Sequence, residues 1–399
     1  MKILFCSGQE TFYMPTRTKM PKRWAYLVEI ATYFYKAGHD VKILDCLDSK
    51  ISHAEIIQDT IVNKYDYICF LARPETLRGL QKLCKIIKVV SSKTKLVVYG
   101  DIVNLLPSFV KRYIADADFI VDKNNWEQRI EEIINTKNTD NCCFADWELA
   151  DLSANFYNKE LYLETNNGEL TIFVSRECPF NCKFCLAVKT FGIKEKRKKP
   201  EVIVDYVAEN LGFVKSFKFF SPTFTYDEEW VKELCGLIIE RKIKVEWSCT
   251  SRPQCLQNEE TIKLMAKAGC KKIAVGIETL NKTASKHISK NQEKDYEENI
   301  ENMFKYANTA GIEIKPLLMI GIEGQTEKAI NNEIKLLKNL GAKSVRITAY
   351  SPRHIINEEE GDEIILKKIE AMDKMTFMAS DIPNMTYNQF LEIIYESNK

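Results

Sequence analysis

Ser175-Arg-Glu-Cys178-Pro-Phe-Asn-Cys182-Lys-Phe-Cys185-Leu186 places three cysteines at the spacing C-x₃-C-x₂-C. The apolar run 170–174 ahead of it reads as a buried strand that delivers the cysteines to a loop at its end. Thiolates suit zinc and iron–sulfur clusters. A structural zinc site wants four ligands, and the next cysteine, Cys235, is fifty residues further on. Three closely spaced thiolates suit instead a 4Fe–4S cluster with one iron left open, able to bind a ligand and pass it an electron. The competing reading is three unligated thiols packed as small apolar groups.

The stretch resembles the cluster loop of radical S-adenosylmethionine enzymes, down to the aromatic Phe184 before the third cysteine. The resemblance implies that Cys178, Cys182 and Cys185 hold the cluster and that its open iron binds the amino and carboxylate groups of S-adenosylmethionine. It further implies that one electron cleaves the C–S bond and releases a 5′-deoxyadenosyl radical.

The chain has 399 residues, room for two domains, and is 45% apolar with a net charge of +1. Such a balance points to neither nucleic acid nor an acidic membrane. Thirteen cysteines, an odd count, argue against a disulfide framework. The opening Met1-Lys-Ile-Leu-Phe-Cys-Ser-Gly8 turns polar too soon for a signal peptide. No apolar run approaches the ~20 residues of a membrane span. Free thiols and an exposed cluster together predict a reducing cytoplasm.

Strand patterns at 3–6, 41–45, 67–71, 95–99 and 119–121 alternate with helical ones across the first 140 residues. Leu27, Ile30, Ala31 and Phe34 share one helical face that ends at Gly38, and Leu77, Leu80, Cys84 and Ile87 share another. Alternation of this kind predicts a flavodoxin-like (Rossmann-like) parallel sheet over residues 1–140, with ligands beyond the strands' carboxyl ends. No G-x-G-x-x-G or phosphate loop is present. The pattern resembles the cobalamin-binding domain that precedes the radical domain in one large subfamily, although the D-x-H-x-x-G cobalt-ligand motif is absent. The resemblance implies cobalamin held by the loops after the strands, through Gly8, Arg73, Thr76, Gly100 and Asp101. A domain that kept the fold without the ligand is the alternative. Methylthiotransferases, with cluster cysteines in the positions of Cys6, Cys46 and Cys84, are another; the local motifs of that family are missing.

Residues 141–168 read as a polar linker with adjacent Cys142 and Cys143. Residues 169–352 carry six strand patterns, near 169–175, 216–221, 244–250, 272–276, 313–320 and 344–349, separated by helices. They predict a partial (βα)₆ TIM-type barrel whose chemistry gathers at the carboxyl ends of its strands. Many relatives have an acidic pair where this chain has Ser221-Pro222, so Ser221 or Thr223 would accept a hydrogen bond from the cofactor there. Arg252 ends the third strand and suits a carboxylate, with a surface ion pair as the alternative. Gly276 would admit a ligand to the backbone. Glu278 suits the ribose or amino group, with a buried ion pair to a lysine as the alternative. The Gly321–Thr326 turn resembles one that stacks near adenine, and Thr326 also suits a helix cap. Tyr350 and Arg353 are the substrate-side catalytic candidates. The basic run Lys194-Glu-Lys-Arg-Lys-Lys199 reads as a solvated loop.

No cysteine follows Cys270, so no C-terminal auxiliary-cluster domain is expected. Residues 353–399 read as a helical extension capping the barrel mouth. Together these expectations describe an enzyme that uses a 4Fe–4S cluster, S-adenosylmethionine and cobalamin to methylate an unactivated carbon of a small molecule or peptide. An external one-electron reductant, flavodoxin or ferredoxin, would feed it. A radical rearrangement, cyclisation or oxidation is the enzymatic alternative; a cobalamin or iron–sulfur sensor or electron carrier is the non-enzymatic one.

Overall fold

A computed structural model describes residues 1–9, 22–46, 51–122, 125–136, 144–146, 149, 168–290, 295–350, 356–374 and 386–397. Cys142, Cys143 and Arg353 lie outside them. The chain forms two units: Met1–Gly168 with Lys189–Gly192 and Ile355–Glu370, and Glu169–Val188 with Ile193–His354 and Ala371–Lys399.

In the first unit the expected five strands are present: β1 (Lys2–Ser7), β2 (Asp40–Leu44), β3 (Tyr67–Leu71), β4 (Lys95–Tyr99) and β5 (Phe119–Val121). They pair in the order β2-β1-β3-β4-β5, all parallel, with Ile3 opposite Val41 and Phe5 opposite Cys69. The order reverses between β1 and β3, which opens a crevice at their carboxyl ends. Helix Lys22–Lys36 packs Leu27, Ile30, Ala31 and Phe34 inward, and Gly38 follows it at φ 85°. Helix Leu77–Val90 buries Leu77, Leu80, Leu83, Cys84 and Ile87, the stripe its periodicity requires. Helix His53–Asn63 is started by a capping box in which Ser52 and Glu55 exchange bonds.

Six further strands make the second unit's sheet: β6 (Glu169–Phe173), β7 (Ser216–Phe220), β8 (Trp247–Ser251), β9 (Cys270–Glu278), β10 (Glu313–Ile320) and β11 (Arg346–Ala349). They lie in sequence order, all parallel, as a partial barrel requires. Phe219, Phe224 and Trp247 pack ring against ring as fully buried aromatics. The β9–β10 register slips so that Leu317 faces Gly276 and Leu318 faces Glu278, leaving Ile277 as an extra residue. This bulge turns the end of β9 and aims Glu278 anew.

The chain after the barrel is divided between the units, which differs from the single cap expected. Residues 356–370 pack within the first unit, burying Ile365, Leu366 and Ile369 and pairing Arg78 with Glu363 and Glu370. Helix Tyr387–Ser397 packs beside β11 in the second unit, burying Phe390 and Ile394. Apolar side chains returning to the first core decide that placement, because half-exposed ion pairs contribute little. Among the described residues, no helix is long and apolar enough to cross a membrane.

Candidate functional site

The cysteine loop leaves the carboxyl end of β6, the first barrel strand. Cys178 is buried, while Cys182 and Cys185 are half-buried; none is in a disulfide. The loop turns on itself where Cys185 N–H donates to Cys182 O at 3.1 Å. It is tied to the chain after β9 where Lys183 N–H donates to Ile288 O at 3.2 Å. Arg252 ends β8 and donates to Cys182 Sγ at 3.5 Å; its guanidinium lies 3.9 Å from the Phe180 ring centroid. Its Nε is buried with no hydrogen bond to a described residue. The surface ion pair considered for this arginine is not what forms. Burial pushes the Cys185 thiol up to about 11, and the Lys290 charge opposes that rise.

These thiols fit a four-iron cluster. Among the described residues no three His, Cys, Asp or Glu side chains converge as ligands of one ion would. Each cysteine of a four-iron cluster binds a different iron, and here three thiols share one short loop, with Cys185 close enough to Cys178 and Cys182 to feel their charges. The buried Arg252 donors facing Cys182 match a sulfur that carries charge.

At the end of β7, Ser221 and Thr223 are both buried. Thr223 Oγ1 lies 3.9 Å from Cys178 Sγ. Ser221 Oγ donates to Glu195 Oε1 at 3.2 Å and accepts from Thr223 N–H at 3.3 Å. Ser175 Oγ lies 2.8 Å from both the Glu195 and the Ser221 oxygens. Arg197 closes the network, donating to Glu195 at 2.8 Å and to the carbonyls of Thr223 and Phe224 at 3.0 and 2.7 Å. The Glu195 and Arg197 side chains are only 8% and 6% exposed, which corrects the reading of 194–199 as a solvated loop. Alternate residues of that run turn inward and lock the loop after β7. The switch of charge sign within Lys-Glu-Lys-Arg was the available sequence signal.

At the end of β9, Glu278 pairs with Lys290 at 2.8 Å, and Lys290 also donates to Gly276 O at 2.9 Å. A Cβ on Gly276 would sit 2.7 Å from Glu278 Oε1 and 2.9 Å from Lys290 Nζ. Gly276 therefore makes room for an ion pair rather than for a ligand. Lys290 Nζ also lies 5.9 Å from the Phe184 ring centroid. Phe184 and Tyr350 pack against the same buried group, Ala284, Ile288, Met319 and Ile322. Gly321 follows β10 at φ 93°, and Thr326 caps the next helix by accepting from Ala329 N–H at 3.2 Å. Gln325 ties that turn down, donating to Met319 O and accepting from Ile322 N–H.

Sequence reasoning also missed Cys255, half-buried after β8 and close enough to Cys178 and Arg252 to feel their charges. It lines a cleft of about 600 Å³ with Phe180, Tyr226, Gln254 and Met265.

In the first unit, Arg73, Thr76, Gly100 and Asp101 meet at the ends of β3 and β4. Arg73 bonds Glu75 at 3.1 Å and approaches Asp101 to 4.0 Å. Thr76 is buried and holds the Arg73 backbone. Gly100, at φ 135°, passes so near Ala72 O that a Cβ would sit 2.2 Å from it. Gly8 packs on Leu80, its would-be Cβ 2.8 Å away. Tyr26, Trp126 and Phe191 add an aromatic cluster with ring centroids 5.4–6.4 Å apart. His53 accepts from Gln9 N–H through Nε2 at 2.8 Å. This edge offers aromatic rings, backbone groups and the Arg73 guanidinium, while His53 is engaged by Gln9 N–H. Cys6, Cys46 and Cys84 are buried, and among the described residues they form no ligand set for one ion; burial lifts Cys46 and Cys84 to about 12.

Residues 172–337 match the radical SAM superfamily. Over 84% of its length the chain is 21% identical to 76% of an uncharacterized methyltransferase of Pyrococcus horikoshii. It is 25% identical over 40% of its length to 35% of the bacteriochlorophyllide d C-12(1)-methyltransferase of Chlorobaculum tepidum. It is 22% identical over 58% of its length to 41% of the anaerobic magnesium-protoporphyrin IX monomethyl ester cyclase of Rubrivivax gelatinosus. Among solved structures, the radical S-adenosylmethionine methyltransferase TsrM of Kitasatospora setae superposes with TM-score 0.69 at 13% identity, covering 89% of this chain and 75% of that one. The cobalamin-dependent radical enzyme OxsB superposes with TM-score 0.60 at 14% identity, covering all of this chain and 61% of that one.

Proposed function

We propose that this protein, a member of the radical SAM superfamily through residues 172–337, is a cobalamin-dependent enzyme that methylates an unactivated carbon. One observation carries the reading: ahead of the cysteine loop the chain folds a β2-β1-β3-β4-β5 sheet, and TsrM shares the fold over 89% of the chain. When bound, the cluster supplies the electron that cleaves S-adenosylmethionine, and cobalamin supplies the methyl group.

The chain's own residues do the holding. Cys178, Cys182 and Cys185 ligate iron, and Arg252 offsets the charge on Cys182. Phe184 walls the cofactor, and Glu278 accepts hydrogen bonds from its amino group or ribose. Gly321 lets the turn after β10 lie against adenine. Ser221 and Thr223 act through the shape of their loop, since their side chains are buried. Arg73 and Asp101 meet the corrin edge, with Gly8, Thr76 and Gly100 shaping the loops. Tyr350 and Arg353 are the substrate-side catalytic candidates, and the substrate is a small molecule or peptide. We assign residues 1–140 to the cobalamin domain, 141–168 to the linker, 169–352 to the barrel and 353–399 to the helical extension. The setting is cytoplasmic, with flavodoxin or ferredoxin as reductant.

The test is anaerobic. Purified protein is reconstituted with iron and sulfide and given cobalamin, S-adenosylmethionine and a reductant. A retained corrinoid band, with both 5′-deoxyadenosine and S-adenosylhomocysteine formed, is the expected result. Deoxyadenosine without a retained corrinoid favours a radical rearrangement, cyclisation or oxidation, the reading the Rubrivivax cyclase likeness supports. Neither nucleoside product leaves a sensor or electron carrier.

A further inference from the structure

We propose that the inner face of the barrel sheet, toward the amino-terminal half of its strands, is an anion receptor: Lys218, Lys272, Lys315 and Arg346 converge there on the dianionic end of a substrate, a phosphate monoester or a pair of carboxylates. That the anion belongs to the substrate rests on the radical SAM reading; the receptor itself does not.

A closed βα barrel fills its interior with layers of branched apolar side chains. This sheet does not. Phe217 and Phe219 on β7, Ile273 and Val275 on β9, and Ile314 and Leu318 on β10 are buried. The residues that alternate with them, Lys218, Lys272 and Lys315, are only half-buried and share the opposite face. The register sets them in a row. Lys218 lies opposite Ser248, Ser248 opposite Lys272, and Lys272 opposite Glu313. Lys315 stands one level nearer the carboxyl ends, opposite Ala274, and Arg346 one level beyond that, opposite Leu317.

The charges on this face do not balance. Glu313 pairs with Lys272 at 3.4 Å, and Glu169 accepts from Ser248 at 3.2 Å across the intervening β7. Among the described residues Lys218, Lys315 and Arg346 form no ion pair. Burial lowers the Lys315 ammonium below its ordinary value; Lys272, Arg346 and Lys218 push it the same way, and Glu313 opposes them. Lys218 is three strands from β10 in the sheet order, so its action on Lys315 reports a curl that turns the cations toward one another. Like charges gathered in this way disfavour their own charged forms, and groups perturbed so are found where a ligand supplies the missing charge. Four cations against two carboxylates leave an excess that a dianion matches. The planar guanidinium of Arg346 suits the paired oxygens of a phosphate or carboxylate.

Toward the carboxyl ends the same face turns apolar through Leu317 and then Met319, against which Phe184 and Tyr350 pack. Arg346 stands three residues, about 10 Å, before the end of β11. A substrate anchored by its anion at this depth extends its uncharged part toward the loop of Cys178, Cys182 and Cys185.

The test is anion binding by the full-length protein, reconstituted with iron and sulfide, read by calorimetry and by thermal unfolding at constant ionic strength. The probes are inorganic phosphate and glutarate, with chloride as the reference. The wild type should bind one probe at least tenfold more tightly than chloride; tighter phosphate identifies a phosphate ester, tighter glutarate paired carboxylates. Lys315→Met and Arg346→Met should each weaken that binding at least tenfold. Lys271→Met, exposed beside Glu246, should leave it unchanged. Because Lys315→Met removes a like-charge repulsion, it should unfold in chloride at or above the wild-type temperature, which separates a lost receptor from a lost fold. A wild type that prefers neither probe to chloride overturns the proposal. So does binding that survives both Lys315→Met and Arg346→Met, or a Lys315→Met that unfolds well below the wild type. Protein that binds the anion but forms no 5′-deoxyadenosine keeps the receptor and overturns the radical reading; protein that forms it but binds neither probe overturns the receptor alone.

Discussion

Cysteine is placed in opposite ways in the core of the first unit and on the cysteine loop of the second. In the first, Cys6, Cys46, Cys69 and Cys84 lie inside the core around a parallel sheet. Burial drives all four thiols up, holding them neutral. In the second, Cys182 and Cys185 sit on a loop beyond a strand end, within reach of the Arg252 and Lys290 charges. A thiol's chemistry thus follows from where the backbone places it. Inside the sheet layers it is packing; past the carboxyl end of a strand, facing cations, it is placed as the proposed ligation requires.

The sharpest way to break this contrast is mutation. Cys182→Ser should bring cluster iron and visible absorbance to background, while Cys84→Ala should load fully and lose about 1 kcal/mol of stability to a small cavity. Equal iron loss in both would erase the distinction.

The ion pairs divide in the same way. Arg197→Met strands Glu195 in the second unit, where both side chains are buried, and should cost about 3–5 kcal/mol in urea denaturation. Arg78→Met in the first unit removes half-exposed pairs to Glu363 and Glu370 and should cost no more than about 1 kcal/mol. Similar losses would mean that burial does not separate them.

Arg252→Met should keep the cluster and slow deoxyadenosine formation by about 10–100-fold, the value of a charge-assisted hydrogen bond. An unchanged rate would reduce Arg252 to packing against Phe180.

The last effect is alkaline. An unfolded thiol ionises near 9, whereas Cys46 and Cys84 in the first unit and Cys235 in the second keep their protons to about 12. Above pH 9 the unfolded chain binds fewer protons than the folded one. Stability is therefore intact below pH 9 and falls between pH 9 and 12, by about 1.4 kcal/mol per pH unit for each such thiol. A urea midpoint that does not drop between pH 8 and 10 would show that these thiols are not held neutral.

Local pattern made much of the fold legible. The five first-unit strands and the six barrel strands follow from apolar runs punctuated by turns, and burial of those runs selects parallel sheets. Local placement was legible too: the cysteine triad on a loop after a strand, Arg252 at a strand end, and Thr326 as a helix cap. Ser221 and Gly276 misled, because each looked open to a ligand. Ser221 is instead surrounded by Glu195, Ser175 and Thr223, and the space over Gly276 holds the Glu278–Lys290 pair.

By itself the sequence determined the thiol spacing and the alternation of strand and helix, since both depend on neighbours a few residues apart. Only the tertiary structure decided which charges meet. Glu195 reaches Ser221 across 26 residues, and Arg252 reaches Cys182 across 70. A single extra residue in β9 turns Glu278 toward a lysine twelve positions on. Strand curl, a bulge and loop closure set those directions, and none of them is written in the two-residue period of a strand.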